Sequence, residues 1–184
     1  MKSTSLLLGS LMFAVPALAF EPSTIQSLRV ATAAAGVAHS KFPQAVEEGP
    51  EAAISNISSA AAQAADESSS ISKGLNVQSR NNKEQCGQLV GALKGYFKAI
   101  VTLSHDSTNP AVFCSKNIDR LGPTIGWNLH LVNLWMEPYS TTIKRDCEDG
   151  EKLVAGLVGD YDTAIDSIEK ARKLLESPGG RCNK

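Results

Sequence analysis

Thiols, imidazoles and one glycosylation sequon are the reactive features of this chain, and their spacing limits what each can do. Four cysteines, Cys86, Cys114, Cys147 and Cys182, stand far apart. A zinc site needs ligands in close pairs such as C-x₂₋₄-C, and no histidine stands at ligand spacing from any of the four. An even number of widely spaced cysteines reads instead as two disulfides. His39, His105 and His130 are isolated in sequence, and H-E-x-x-H and G-x-S-x-G are absent. No catalytic residue, cofactor site or metal site is therefore predicted, and His130 reads as a core histidine. Asp146, Glu148, Asp149 and Glu151 lack the Asp-x-Asp-x-Asp-Gly pattern of a calcium loop. They read as a helix start, where acids meet the positive end of the dipole. Asn56-Ile57-Ser58 is the one N-x-S/T sequon, so Asn56 is the candidate glycosylation site.

Two further patterns carry no chemistry but shape a surface. Gly87, Gly91 and Gly95 recur every fourth residue, beside Lys94 and Lys98. Each costs a helix roughly 1 kcal/mol against alanine, so the stripe either admits a close helix crossing or a partner, or is simply tolerated on an exposed surface. It is not a phosphate loop. The segment from Pro123 to Glu137 holds both tryptophans and is interrupted only by Asn128, His130, Asn133 and Glu137. A helix this apolar is buried on all sides. The alternative is that Trp127, Leu131, Trp135 and Met136 form a ligand or partner surface.

The compartment follows from the first residues. Lys2, an apolar run from Leu6 to Val15 and Ala17-Leu18-Ala19 make a secretory signal peptide over residues 1–19. The remainder, 20–184, is about 165 residues long, enough for one domain with its own core. The C-terminus is polar, with no GPI-type tail, and no other segment could cross a membrane. Net charge is −1 and the isoelectric point near 6.3, with bases scattered. A nucleic-acid partner and integral membrane association are both excluded by this reading.

The elements that must position these residues read as helices throughout. Apolar residues recur at three and four, and hairpin signals are nearly absent. A first helix is predicted from Thr24 to Lys41, with Ser23 as cap and Pro43 as stop, burying Ile25, Leu28, Ala31, Ala35 and Phe42. A second runs from Pro50 to Lys73, ended by Gly74, on a thin Ala/Ser seam. A third runs from Lys83 to Ser104. A fourth starts at Asn109-Pro110 and is interrupted at Gly122-Pro123, which either kinks it or splits it in two. A last runs from Thr142 to Glu176, with Cys147 and the dibasic Lys144-Arg145 inside it. The fold class is all-α, an antiparallel up-and-down bundle of about five helices. Its Ala/Ser-rich pair spans 24–74, and its disulfide-linked helices span 83–184.

In that topology only cysteines at the same end can approach within bonding reach. The pairing is then Cys86–Cys147 and Cys114–Cys182. Each closes a loop of more than about 50 residues, which the chain-entropy model values at about 4 kcal/mol.

The layout from Phe20 to Ser177, a secreted Ala/Ser/Val-rich helical bundle, resembles the fungal hydrophobic-surface-binding and cell-wall mannoprotein domains. That resemblance implies a helical fold and, for some members, binding of fatty acyl chains. The four cysteines are not part of that pattern. Plant invertase and pectin-methylesterase inhibitors share four cysteines and a four-helix bundle, but their first cysteines pair near the mature N-terminus. Here the first is Cys86. The expected function is a secreted, non-catalytic, effector-like or cell-surface binding protein, with an extracellular protein or cell-wall component as partner. A carrier of apolar small molecules and an unrecognised secreted hydrolase are the alternatives.

Overall fold

The computed structural model describes residues 22–74, 83–116 and 118–176. Every element among them is helical: α1 (Pro22–Glu48), α2 (Pro50–Gly74), α3 (Lys83–Ser107), the single turn α4 (Pro110–Phe113), a 3₁₀ turn (Ile118–Arg120), α5 (Leu121–Asp146) and α6 (Gly150–Glu176).

The buried positions follow the sequence pattern closely. Ile25, Leu28, Ala31, Ala35, Ala38, Phe42 and Ala45 recur at three and four along α1, and all are buried. Ile54, Ile57, Ala61 and Ala64 do the same on α2, and Cys86, Leu89, Leu93, Phe97 and Ile100 on α3. Tyr96 and Tyr139 are buried with them and are the two largest fully enclosed side chains among the described residues.

Four boundaries differ from expectation. Pro43 does not stop α1, which continues to Glu48. Its ring is exposed while Phe42 and Ala45 on either side are buried, so packing carries the helix past the donor that proline lacks. The helix begins at Pro22, so Ser23 lies in its first turn and is not a cap. The true stop is Gly49, at φ 124°, whose N–H bonds the carbonyls of Ala45 and Val46 at 3.2 and 3.3 Å. Glycine tolerates this left-handed backbone, and Pro50 begins α2 at once.

Gly122-Pro123 breaks nothing. The pair sits in the first turn of α5, where a missing N–H is harmless. The interruption comes earlier, after α4, whose cap is as expected: Ala111 N–H donates to Asn109 Oδ1 at 3.0 Å. Pro138 likewise lies inside α5 and is exposed. The expected helix 142–176 is two elements, because α5 continues to Asp146 and α6 starts only at Gly150. Asp149 adopts φ 60° in the turn between. A Cβ on Gly150 would lie 2.7 Å from Lys144 Cα, so only glycine allows the chain to cross the end of α5.

Long helices pack as α1 on α2, α2 on α5, α5 on α6, α6 on α3 and α3 on α1, which closes a ring. Individual contacts give the directions. Cys86 bonds Cys147 just ahead of α6, and further along Lys94 pairs with Asp160 at 3.8 Å, so α3 and α6 run the same way. Tyr161 Oη donates to Asn133 Oδ1 at 2.7 Å, and Lys144 pairs with Glu151 at 3.3 Å, so α5 runs against α6. His39 meets Asp106 at 2.9 Å and Thr32 lies beside Gly95, so α1 and α3 are parallel.

Cys86 and Cys147 form a disulfide, with Cα atoms 6.0 Å apart. It ties the start of α3 to the turn between α5 and α6, one of the two pairings expected. One disulfide thus lies within the described residues where two were predicted. Cys182, the expected partner of Cys114, lies outside them, and no described cysteine is free.

Candidate functional site

Helix α1 packs between α2 and α3 and turns small residues outward, so a groove runs along each flank. Between α1 and α3 lies a hollow of about 400 Å³, lined by Arg29, Thr32, Ala33, Gln88, Gly91, Ala92 and Gly95. Gly91 and Gly95 line this hollow, and Gly87 does not. A Cβ on Gly95 would sit 3.7 Å from Thr32 Cγ2, in ordinary contact with α1. A Cβ on Gly87 or Gly91 would meet nothing within 4 Å. The close helix crossing therefore involves Gly95, whereas Gly87 and Gly91 leave space that no described residue fills.

Between α1 and α2 lies a longer trench in two parts. The part near Gly49 is about 440 Å³ and includes Lys41, Gln44, Glu48 and Ser55. The other is about 390 Å³ and mostly apolar, with Val30, Ala34, Val37 and Ala60 in its walls. Val37 is 52% exposed, the most exposed large apolar side chain described. Asn56 and Ser59 belong to both parts. The half-buried Asn56 sends its Nδ2 to the Ala38 carbonyl at 2.8 Å, joining α2 to α1.

A buried aspartate meets an exposed histidine where α1 packs on α3. His39 Nδ1 lies 2.9 Å from Asp106 Oδ2, with the aspartate side chain 5% exposed and the histidine 55%. Loss of water raises the Asp106 carboxyl above its ordinary value, and the hydrogen bond and charge of His39 and the charge of His105 offset this only in part. A carboxylate on a histidine ring can orient a general base. The hydroxyls nearest in sequence are turned elsewhere. Ser107 donates to the Ser104 carbonyl at 2.6 Å and Ser40 to the Val37 carbonyl at 2.9 Å. Asp106 was not among the sequence candidates, because 67 residues separate it from His39.

The apolar segment of α5 is not enclosed all round. Gly126, His130, Asn133 and Glu137 are exposed at helical spacing, so His130 is a surface residue and not a core histidine. Leu131 and Val132 are fully buried, and Met136 packs partly buried against the core. Leu131 is thus core, not surface; the side chains of Trp127 and Trp135 lie outside the described residues. Asp146 is the last residue of α5, not part of the start of α6, and both its oxygens are held by Arg145 at 2.7 and 2.6 Å.

No family model matches this chain and no solved structure does. The compositional likeness to hydrophobic-surface-binding domains thus has no family match behind it. An uncharacterized secreted protein of Arthroderma benhamiae is 56% identical, the match covering 99% of each chain. The chain belongs to the family of that protein. It is secreted, as the segment Met1–Ala19 and the disulfide chemistry predict. No described helix is long and apolar enough to cross a membrane.

Proposed function

We propose that this is a non-catalytic, effector-like or cell-surface binding protein whose partner, an extracellular protein or cell-wall component, seats in the α1/α3 groove. We read its helix contacts as an up-and-down bundle in which α1, α3 and α6 run one way and α2 and α5 the other, held by Cys86–Cys147 and Cys114–Cys182. One observation carries the binding reading. Gly91, in the wall of that groove, weakens α3 by roughly 0.5–1 kcal/mol against alanine, yet no described residue lies within 4 Å of where its Cβ would stand. Space kept open at that cost is space for something else.

Filling the groove tests this directly. Gly91→Leu adds a side chain whose Cβ meets nothing within 4 Å, and its unfolding midpoint, measured alongside, is expected to match the wild type. Tagged wild-type protein is expected to retain a specific partner from extracellular or cell-wall fractions, and Gly91→Leu to lose it. Equal retention refutes the groove, and no retention by the wild type refutes binding.

Each alternative has one observation in its favour. For a carrier of apolar molecules, Asn128 Oδ1 and Tyr139 Oη on α5 are buried without a hydrogen-bond partner among the described residues, places where a polar headgroup would be welcome. Solvent extraction and mass spectrometry of the secreted protein would reveal a bound lipid. For a hydrolase, the His39–Asp106 pair supplies the orienting half of a base. Labelling by a serine-directed fluorophosphonate, lost in His39→Ala, would establish it.

A further inference from the structure

We infer that Asn56 carries an N-linked glycan whose first sugar lies in the polar part of the α1/α2 trench, with Ala38 holding the linkage amide in place. The chain is secreted and Asn56-Ile57-Ser58 has the required sequence, so Asn56 meets the glycosylation machinery. In the transfer, Asn56 Nδ2 bonds to the anomeric carbon of a sugar donated by a polyisoprenyl-pyrophosphate-linked oligosaccharide. The anomeric C–O bond breaks, the pyrophosphate leaves with its electron pair, and the amide gives up one of its two protons.

The geometry suits the product. Nδ2 uses one hydrogen for the Ala38 carbonyl at 2.8 Å. The glycosylated amide keeps one N–H, which leaves it a donor for the Ala38 carbonyl. Asn56 lies at the junction of two open hollows, so a substituent can leave the nitrogen without displacing a helix. The two hollows differ in chemistry. Lys41, Gln44, Glu48 and Ser55 offer hydrogen bonds to sugar hydroxyls on the side near Gly49. On the other side Val30, Ala34, Val37 and Ala60 offer none, and Gln63 is the one polar side chain there besides the shared Asn56 and Ser59. The sugar therefore takes the first. A glycan there covers the α1/α2 trench and leaves the α1/α3 groove open. The inference is independent of the binding reading above.

The test uses the full chain secreted from a eukaryotic host behind its own signal peptide. Amidase release of N-glycans in heavy-oxygen water is expected to convert Asn56 to a labelled aspartate, seen by peptide mass spectrometry. Ser58→Ala should abolish the modification while leaving Asn56 and its bond to Ala38 intact. An unmodified Asn56 in the wild type overturns the proposal. Seating is read separately from acylation of the Lys41 amine, expected to be several-fold slower in the glycosylated wild type than in Ser58→Ala. Equal labelling of a glycosylated protein overturns the seating.

Discussion

The two halves of this molecule are built from different material. The interior of α1 and α2 is largely alanine, with Ala31, Ala35, Ala38, Ala45, Ala53, Ala60, Ala61 and Ala64 all buried. The interior of α3, α5 and α6 is Leu89, Leu93, Tyr96, Phe97, Ile100, Leu131, Tyr139, Leu157 and Ile168. Transfer from water contributes about 25 cal/mol per Å² of apolar surface, so each alanine brings far less than each leucine or ring. The Cys86–Cys147 disulfide also lies wholly in the second half. Small side chains let α1 and α2 approach closely but leave shallow trenches outside, which is where the candidate surfaces lie. The large-residue half supplies stability, and the small-residue half supplies shape.

The contrast can be attacked at several strengths. Phe97→Ala, in the large-residue core, is expected to cost about 3–5 kcal/mol by denaturant unfolding. A cost below about 1.5 kcal/mol would remove the distinction between the halves. Replacing Cys86 and Cys147 by serine should cost somewhat less, about 2–4 kcal/mol. Hydrogen exchange on that variant sharpens the comparison. Residues 24–74 should open more readily than 86–176 in the wild type. If the order survives without the disulfide, packing sets it; if it vanishes, the cross-link does.

Smaller effects probe the grooves. Gly91→Ala should raise stability by roughly 0.5–1 kcal/mol, since the added methyl meets nothing, measured by the denaturation midpoint. The smallest expected effect is at Asp106, where burial raises the carboxyl pKa in the folded state. A raised folded-state value means the folded protein binds the proton more tightly, so stability is fullest in acid and falls as pH rises through the carboxylate range. The wild type should therefore lose ground to Asp106→Asn between about pH 3 and pH 6. A constant difference across that window would show that the buried carboxylate is fully compensated.

Helix positions and their inner faces were legible because apolar residues recur at three and four, and that spacing survives folding. Ends were harder. Pro43 looks like a stop, yet its ring lies on an exposed face, and neighbours locked in the core carry the helix onward. Asp149-Gly150 was read as part of a helix, because its acids suit a helix dipole as well as they suit a turn. The Cys86–Cys147 pairing was legible because helix direction decides which ends can meet. The glycine stripe was visible as a pattern, but only the packed chain shows that Gly95 touches Thr32 while Gly91 faces open space. The His39–Asp106 pair left no trace in sequence, since it depends on the lengthwise register of α1 against α3.

The ring of helices also has a timetable. Helices α1 and α2 are joined by one residue and can meet as soon as both leave the ribosome, but the inward faces at Leu28 and Ile54 are sealed only by elements made later. α2 ends at Gly74 and α5 at Asp146. At synthesis rates of about 5–20 residues per second, the hairpin waits several seconds in the secretory lumen with its greasy side uncovered. Substitutions that make that side more apolar would then raise the dwell time on lumenal chaperones before they raised the melting temperature.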